Sequence, residues 1–378
     1  MNKKLLTAII AVLLGFIVGM VFSMILGIKF QNGTITTYTP DTILVPMIRS
    51  FTGFDISGHN AFSARYIGEF IVAAVPLILT GLSVAFAFKT GLFNIGAEGQ
   101  VLVGSIAATL AGIYLDLPPI IHPIVCFLAA IIAGFIFGFI PGLLKAKFNV
   151  HEVVTCIMLN YVGMYLANMI FKALPGYAND KTPAIRDSAK ISSDFLSQIT
   201  QGSRLNWSIL VVLVACLVFW FIIEKTTFGY RLKAIGHNKD AAKYAGMKVD
   251  SGIMMSMGIS GAFAALAGAC LVLGLFGYGR VLNSFENYGY NGIAVSLVGL
   301  NSAIGTVFSG GLFAMLQVSQ PLMQSAGIPK DIAVIISALI IFFCAIPALY
   351  EKYIDRYEEK HKEKKLKKEK AKKAGGDA

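Results

Sequence analysis

The run Leu5-LTAIIAVLLGFIVGMVFSMILG-Ile28 carries no charge over its whole length and would form about 36 Å of α-helix at 1.5 Å per residue. That outruns both the apolar part of a signal peptide and the ~30 Å hydrocarbon layer of a bilayer. No small-x-small cleavage pattern follows it, so it is expected to remain as a first membrane span. The rest of the chain agrees. Of 378 residues, 56% are hydrophobic and 14% charged, with a mean hydropathy of +0.70, whereas soluble domains carry about 25% charged residues. The segment 351–378 alone holds 11 Lys/Arg and 7 Asp/Glu of the chain's 32 and 21, which leaves the body nearly devoid of charge. A backbone in lipid finds no water and must close its hydrogen bonds inside helices or a barrel. The predicted fold class is therefore an all-α polytopic membrane protein.

Further apolar runs lie at Ile67–Phe88, Leu92–Leu115, Ile120–Leu144, Val153–Phe171, Ser208–Ile223, Gly252–Phe276, Asn291–Gln320 and Asp331–Leu349. Cytoplasmic loops collect Lys and Arg, which places Lys3/Lys4, Lys89, Lys145/Lys147 and the segment 225–248 inside, and the loops 29–66 and 172–206 outside. The basic tail from Lys352 should also be inside, yet three runs separate it from Lys248, which is the wrong parity. Asn291–Gln320, interrupted at Gly299-Leu-Asn301-Ser302 and again at Gly305, is long enough for two short helices. That split gives about ten transmembrane helices with both termini cytoplasmic. A Gly/Asn-rich break at 91–100 is echoed at 277–292 in the opposite predicted orientation. Paired broken segments of this kind point to an inverted repeat with a binding site near the midplane. The pairs Gly15/Gly19 and Gly134/Gly138 either let helices approach closely or reflect the frequency of glycine in such helices.

The net charge of +11 needs no nucleic acid to explain it, because the basic stretches flank apolar runs without a recognition motif. The five cysteines, Cys126, Cys156, Cys216, Cys270 and Cys344, sit inside apolar runs and read as small buried hydrophobes. The histidines show no metal spacing, and the sequence has no G-x-x-x-x-G-K-[ST] phosphate loop. If ATP drives this protein, another chain hydrolyses it. No span carries a paired acid and base or a Ser/His constellation, so an embedded enzyme is disfavoured. A proton-coupled carrier would need buried titratable groups along a relay. An ATP-independent channel is a further alternative.

Between Ile223 and Gly252 lies EKTTFGYRLKAIGHNKDAAKYAGMKVD, too polar to span. Asp240, Ala241 and Ala242 favour a short helix, Asn238 suits its N-cap and Gly246 its C′ position. The stretch Asp240-Ala-Ala-Lys-Tyr-Ala-Gly246 resembles the E-A-A-x-x-x-G coupling loop of ATP-binding-cassette importer permeases, although the I-x-L-P ending of the longer pattern is absent. The resemblance implies that Asp240, Ala241, Ala242 and Gly246, with Gly229, Tyr230, Arg231 and Gly236 just before them, couple the permease to its ATPase. Three more segments, FKTGLFNIGAEGQ (88–100), NVHEVVTCIMLNY (149–161) and YGYNGIAVSLVG (288–299), look like the permease family serving branched-chain amino acids, ribose and nucleosides, closest to its guanosine-type nucleoside members. The likeness covers about 65–349.

The chain thus divides into a first span (1–30), an extracytoplasmic loop (31–64), a permease domain (65–350) with a coupling loop (224–250), and a charged cytoplasmic tail (351–378). The resemblance implies a non-catalytic subunit that binds no cofactor, with ATP and Mg on a partner ATPase. It also implies a second permease subunit, giving a heterodimer, and an extracytoplasmic substrate-binding lipoprotein. No Lys or Arg falls within an apolar run from 67 to 349, which tilts the cargo toward a small neutral molecule: a nucleoside, with ribose or another simple sugar as the alternative and branched-chain amino acids behind both. The candidate pathway residues are Asn94, Glu98, Gln100, Asn160, Tyr161, Asn287, Tyr290 and Asn291. Amides can bond hydroxyls and base edges, and tyrosines can stack on bases. Each has a second reading. Asn94 can cap a span and Glu98 can stabilise a helix N-terminus, while the others can join helices.

Overall fold

The computed structural model describes residues 3–27, 29–31, 34–36, 38–54, 62–325, 327–329 and 331–346; the charged tail lies outside them. In chain order it contains α1 (Lys3–Leu26), a small antiparallel hairpin of β1 (Lys29–Gln31) and β2 (Thr34–Thr36), α2 (Pro40–Thr52), α3 (Ala64–Phe88), α4 (Ala97–Tyr114), α5 (Ile121–Phe148) and α6 (Glu152–Ala173). Then come α7 (Asp194–Ile199), α8 (Ser208–Trp220), α9 (Thr227–His237), α10 (Lys239–Tyr244), α11 (Val249–Cys270), α12 (Tyr288–Val298), α13 (Ala303–Ser325) and α14 (Asp331–Ala345). π-helical turns extend α8 through Lys225 and α11 through Phe276.

Among the described residues, α1, α3, α5, α6 and the extended α8 and α11 are long and apolar enough to cross a membrane. The shorter or more polar α4, α12, α13 and α14 occupy the positions of the remaining predicted crossings.

Two of the apolar runs differ from continuous helices for a local reason. Helix α3 ends where Gly91 turns left-handed (φ 70°), with the Leu92 N–H bonded to the Ala87 carbonyl at 3.1 Å, the long-range bond of a Schellman stop. Leu92 to Gly96 then run as a loop, and the helix predicted from Leu92 starts only at Ala97. The run Asn291–Gln320 divides as expected after Val298. In the turn, Leu300 and Asn301 take positive φ, and Asn301 is held by the Ser296 backbone and hydroxyl. Gly305, expected as a second interruption, instead lies inside α13, its bare Cα packed on the Gly299 carbonyl. At 11 residues, α12 rises about 16 Å, half of a bilayer core.

The predicted outer loop 31–64 contains a helix that the apolar pattern did not reveal. Pro40 sits at the start of α2, and Gly53 (φ 75°) closes it by donating to the Arg49 carbonyl. Ile43 and Met47, one turn apart, are fully buried against the bundle, and the Ser50 hydroxyl donates to the Met315 carbonyl of α13 at 3.1 Å.

Small residues let the central helices touch. Gly134 and Gly138 of α5 rest on Gly261 of α11, and Gly15 and Gly19 of α1 rest on Ile340 and Ile336 of α14. Both glycine pairs are therefore helix contact points. The packing repeats itself: α4 and α5 lie on α11 as α12 and α13 lie on α3, and α3 and α11 lie on each other. The two halves share one core, in which the rings of Phe86, Phe219 and Phe263 meet in edge-on and tilted contacts. Cys270 is buried in this core and Cys126 and Cys156 in two smaller clusters, as expected, while Cys216 and Cys344 are half-buried; all five are free thiols.

Candidate functional site: the junction of two broken helices

The two breaks, nearly 190 residues apart, meet inside the bundle. Gly289, in the first turn of α12, packs directly on the backbone of Ala97 and Glu98 in the first turn of α4. The Glu98 side chain, 2% exposed, accepts the backbone N–H of Asn287 (2.9 Å) and of Gly289 (2.6 Å). Asn287 reaches this position through a left-handed φ of 65°. Each helix N-terminus leaves unpaired N–H groups and a partial positive charge; the Glu98 carboxylate, itself in the first turn of α4, takes up two backbone donors at the start of α12.

Around it the other interior candidates form a connected polar network. The Asn94 amide donates to Gln100 Oε1 (2.8 Å) and to Ser260 Oγ of α11 (2.7 Å), and its oxygen accepts the Gly96 N–H (3.0 Å). The Ser260 hydroxyl donates to the Ser83 carbonyl of α3 at 2.6 Å. Asn160 of α6, fully buried, accepts the Gly99 N–H (2.8 Å) and donates to the Ile95 carbonyl and the Tyr290 hydroxyl, both at 3.1 Å. Gly96 is the N-cap residue of α4, so Asn94 orders the loop ahead of the helix and does not cap it.

The remaining candidates face outward on one side of the junction. Tyr161, 46% exposed, makes an edge contact with Phe285, which does the same with Tyr290. Asn287 is exposed and Asn291 half-buried beside them. The structure thus separates the eight residues into an interior group of Asn94, Glu98, Gln100 and Asn160 and an outward group of Tyr161, Asn287, Tyr290 and Asn291.

A cavity of about 830 Å³ opens next to the junction, toward the end of the bundle that carries the segment 174–206, and Tyr288 belongs to its wall. Three arginines surround it, none from an apolar run: Arg65 from the start of α3, Arg204 from the loop before α8 and Arg280 from the second break. Arg204 meets Glu69 in a two-pronged ion pair, at 3.0 Å from Nε and 2.6 Å from Nη2, and this bond pushes the Arg204 pKa up. Arg280 pairs with Glu286 at 2.6 Å and lies on the Phe276 ring at 3.5 Å from its centroid. The sequence signal for these groups was weak, because each stands alone between runs.

At the opposite end, α9 and α10 form the expected polar unit. Thr226 caps α9 through the Gly229 N–H (3.1 Å), and Asn238 caps α10 through the N–H groups of Asp240 and Ala241, both at 3.0 Å. Gly246 ends α10 with a φ of 79°. Gly229 packs on the carbonyls of Ile222 and Ile223 in the π-helical turn, and Gly236 packs on the Lys89 carbonyl and Gly91, at the mouth of the first break. Tyr230 and Tyr244 are exposed, 67% and 94%, as are Arg231, Asp240 and Ala241. Ala242, in contrast, is buried against Ile235, Ile253 and Met257, and it alone anchors an otherwise open α10.

A bundle of apolar helices in which the N-termini of α4 (18 residues) and α12 (11 residues) meet, with a polar helical pair braced on one break, fits a membrane transport permease. The family described as the permease component of branched-chain amino acid transport systems matches residues 66–345, and the chain belongs to it. It is 43% identical over 307 residues to the guanosine ABC transporter permease protein NupP of Bacillus subtilis, covering 79% of this chain and 88% of that one. It is 33% identical over 362 residues to the nucleoside ABC transporter permease protein NupB of Lactococcus lactis, covering 93% of each. The glucose ABC transporter permease protein TsgB13 of Haloferax volcanii is 33% identical over 295 residues, covering 75% of this chain and 77% of that one.

Proposed function

We propose that this chain is the permease subunit of an ATP-driven nucleoside importer in a bacterial cytoplasmic membrane, with both termini cytoplasmic. The observation that carries the transport reading is the junction itself: two helix N-termini held together by the single carboxylate of Glu98 inside the bundle. Helix N-termini that meet inside the bundle leave backbone dipoles and amides where a cargo passes. Full-length similarity to a nucleoside permease supports the cargo. The subunit is non-catalytic and binds no cofactor; ATP and Mg belong to a partner ATPase.

The outward group of Tyr161, Asn287, Tyr290 and Asn291 lines the pathway. Exposed amides are costly against lipid, so this side faces a second, different permease subunit across a polar passage. Asn94, Glu98, Gln100 and Asn160 hold the passage in shape. A binding lipoprotein delivers cargo at the end of the bundle where the cavity opens.

Transport then proceeds by alternating access. The ATPase engages the exposed face of α9 and α10, chiefly Tyr230, Arg231, Asp240, Ala241 and Tyr244. Closure and opening of its nucleotide sites move α10 and α9, and Gly236 passes that movement to Gly91 and the loop ahead of α4. Because Glu98 ties α4 to α12, both breaks shift together and the passage opens to one side at a time. The test is reconstitution of the purified transporter in liposomes with ATP enclosed opposite the binding protein. Guanosine should accumulate only with ATP and should be displaced by adenosine. Accumulation displaced by glucose or ribose and not by adenosine would move the cargo to sugars, the reading that the TsgB13 similarity favours.

A further inference from the structure

Besides the passage between subunits, the chain has the 830 Å³ cavity within its own fold, a size typical of small-molecule sites. Helices α3 and α13 run antiparallel along it, since Gly81 meets Thr306 and Ile78 meets Gly310. Arg65 and Ser325 therefore mark the mouth, while Pro76 and Gln317 lie deep, about 12 to 16 Å along the helices at 1.5 Å per residue.

The lining changes character with depth. At the mouth, Arg204 and Arg280 are neutralised by Glu69 and Glu286 at 2.6 Å. Lower down the walls are apolar, with Leu271 and Leu275 on one side and Val318 and Leu322 on another. At depth the polar group is an uncharged amide, and the Gln317 Oε1 atom is buried with no hydrogen-bond partner among the described residues. An orphaned acceptor is destabilising, and a turn of the Gln317 amide into the cavity it lines would let it accept from a donor there. Among the described residues no Lys or Arg lines the cavity at that depth, so they hold no anionic group of the occupant there.

Resting on the nucleoside reading above, we infer that this cavity is a nucleoside subsite within the single subunit, with a base N–H on Gln317, the base faces between the apolar walls and the ribose hydroxyls at the Glu69 and Glu286 carboxylates. A simple sugar has no flat apolar face to fill the walls. The subsite is an outward-side waiting position, separate from the passage lined by Tyr161 and Tyr290.

The test uses the assembled transporter. Gln317→Leu keeps the volume and removes the orphaned acceptor, so thermal stability should hold or rise. Its guanosine KM should increase about tenfold with the maximal rate nearly unchanged, as expected for loss of a ground-state contact. In parallel, Gln317→Cys should react with a small thiol reagent, against the unsubstituted protein as background, and saturating guanosine should slow that reaction severalfold. An unchanged KM in the first variant together with labelling indifferent to guanosine in the second, while the wild-type transporter takes up guanosine, would overturn the subsite and leave the nucleoside reading standing. A wild-type transporter that takes up no nucleoside would overturn that reading and the subsite with it.

Discussion

Glu98 and Gly289 are joined by a hydrogen bond of 2.6 Å from the Gly289 N–H to a carboxylate oxygen, although they belong to different halves of the bundle. With the bond from Asn287 it holds α4 and α12 end to end. Glu98→Gln removes the charge and turns an amide N–H2 toward one of two backbone donors. Since charge-assisted bonds are about twice as strong as neutral ones and an unmet buried donor costs roughly 1–3 kcal/mol, the unfolding midpoint of the purified transporter should fall by several degrees. Uptake should fall at least tenfold. A variant with wild-type stability and uptake would show that the two helices need no such tie.

Asn160 satisfies three groups from two other segments, the Gly99 N–H, the Ile95 carbonyl and the Tyr290 hydroxyl. Asn160→Leu conserves size and strands the first two, at a cost of about 2–4 kcal/mol taken together. Tyr290→Phe removes only the third partner and should cost less than about 1 kcal/mol. Thermal unfolding of the two variants side by side checks the order; a reversed order would place the weight of the network on the tyrosine.

Coupling predicts a split between hydrolysis and transport. A side chain at Gly236 would collide with the Lys89 carbonyl, so Gly236→Val should leave the ATPase bound and hydrolysing while uptake drops severalfold. Gly246 has open space around it and a φ of 79°. Gly246→Ala should therefore act through backbone strain of about 1 kcal/mol, with a milder loss of uptake. Equal effects in both variants would argue against the contact between Gly236 and the first break as the transmitting element.

Tyr244 is 94% exposed on α10, and a large ring left so bare is poised for a partner surface. Tyr244→Asp should leave the unfolding midpoint of the permease unchanged and reduce the amount of ATPase that copurifies with it by tenfold or more. Undiminished copurification would move the docking face elsewhere on the α9–α10 unit.

Much of this was legible from local signals. Asn238 and Gly246 bracket α10 because capping depends on one side chain or one glycine, and the split after Val298 shows in Gly299-Leu-Asn301-Ser302. The start of α4 was misplaced by five residues because Leu92, Phe93 and Ile95 are as apolar as a helix interior, and only the left-handed Gly91 shows that the helix has ended. Helix α2 escaped notice because its burial rests on Ile43, Pro46, Met47 and Ser50, only two of them long apolar side chains, flanked by Pro40 and Gly53 that read equally well as a turn. The meeting of Glu98 with Gly289 could not be read at all: opposed breaks suggest a shared site, but which backbone donors a buried carboxylate finds depends on packing between α3, α4, α11 and α12. The ring of arginines at the cavity is likewise a product of three distant segments converging.

The most direct test of the nucleoside importer is uptake of labelled guanosine by cells with and without this gene, with excess adenosine, ribose or leucine as competitor. The account predicts that uptake is lost on deletion, restored by the wild-type gene, and suppressed by adenosine but not by ribose or leucine. Guanosine uptake unchanged by deletion, alongside loss of ribose or glucose uptake, would contradict it.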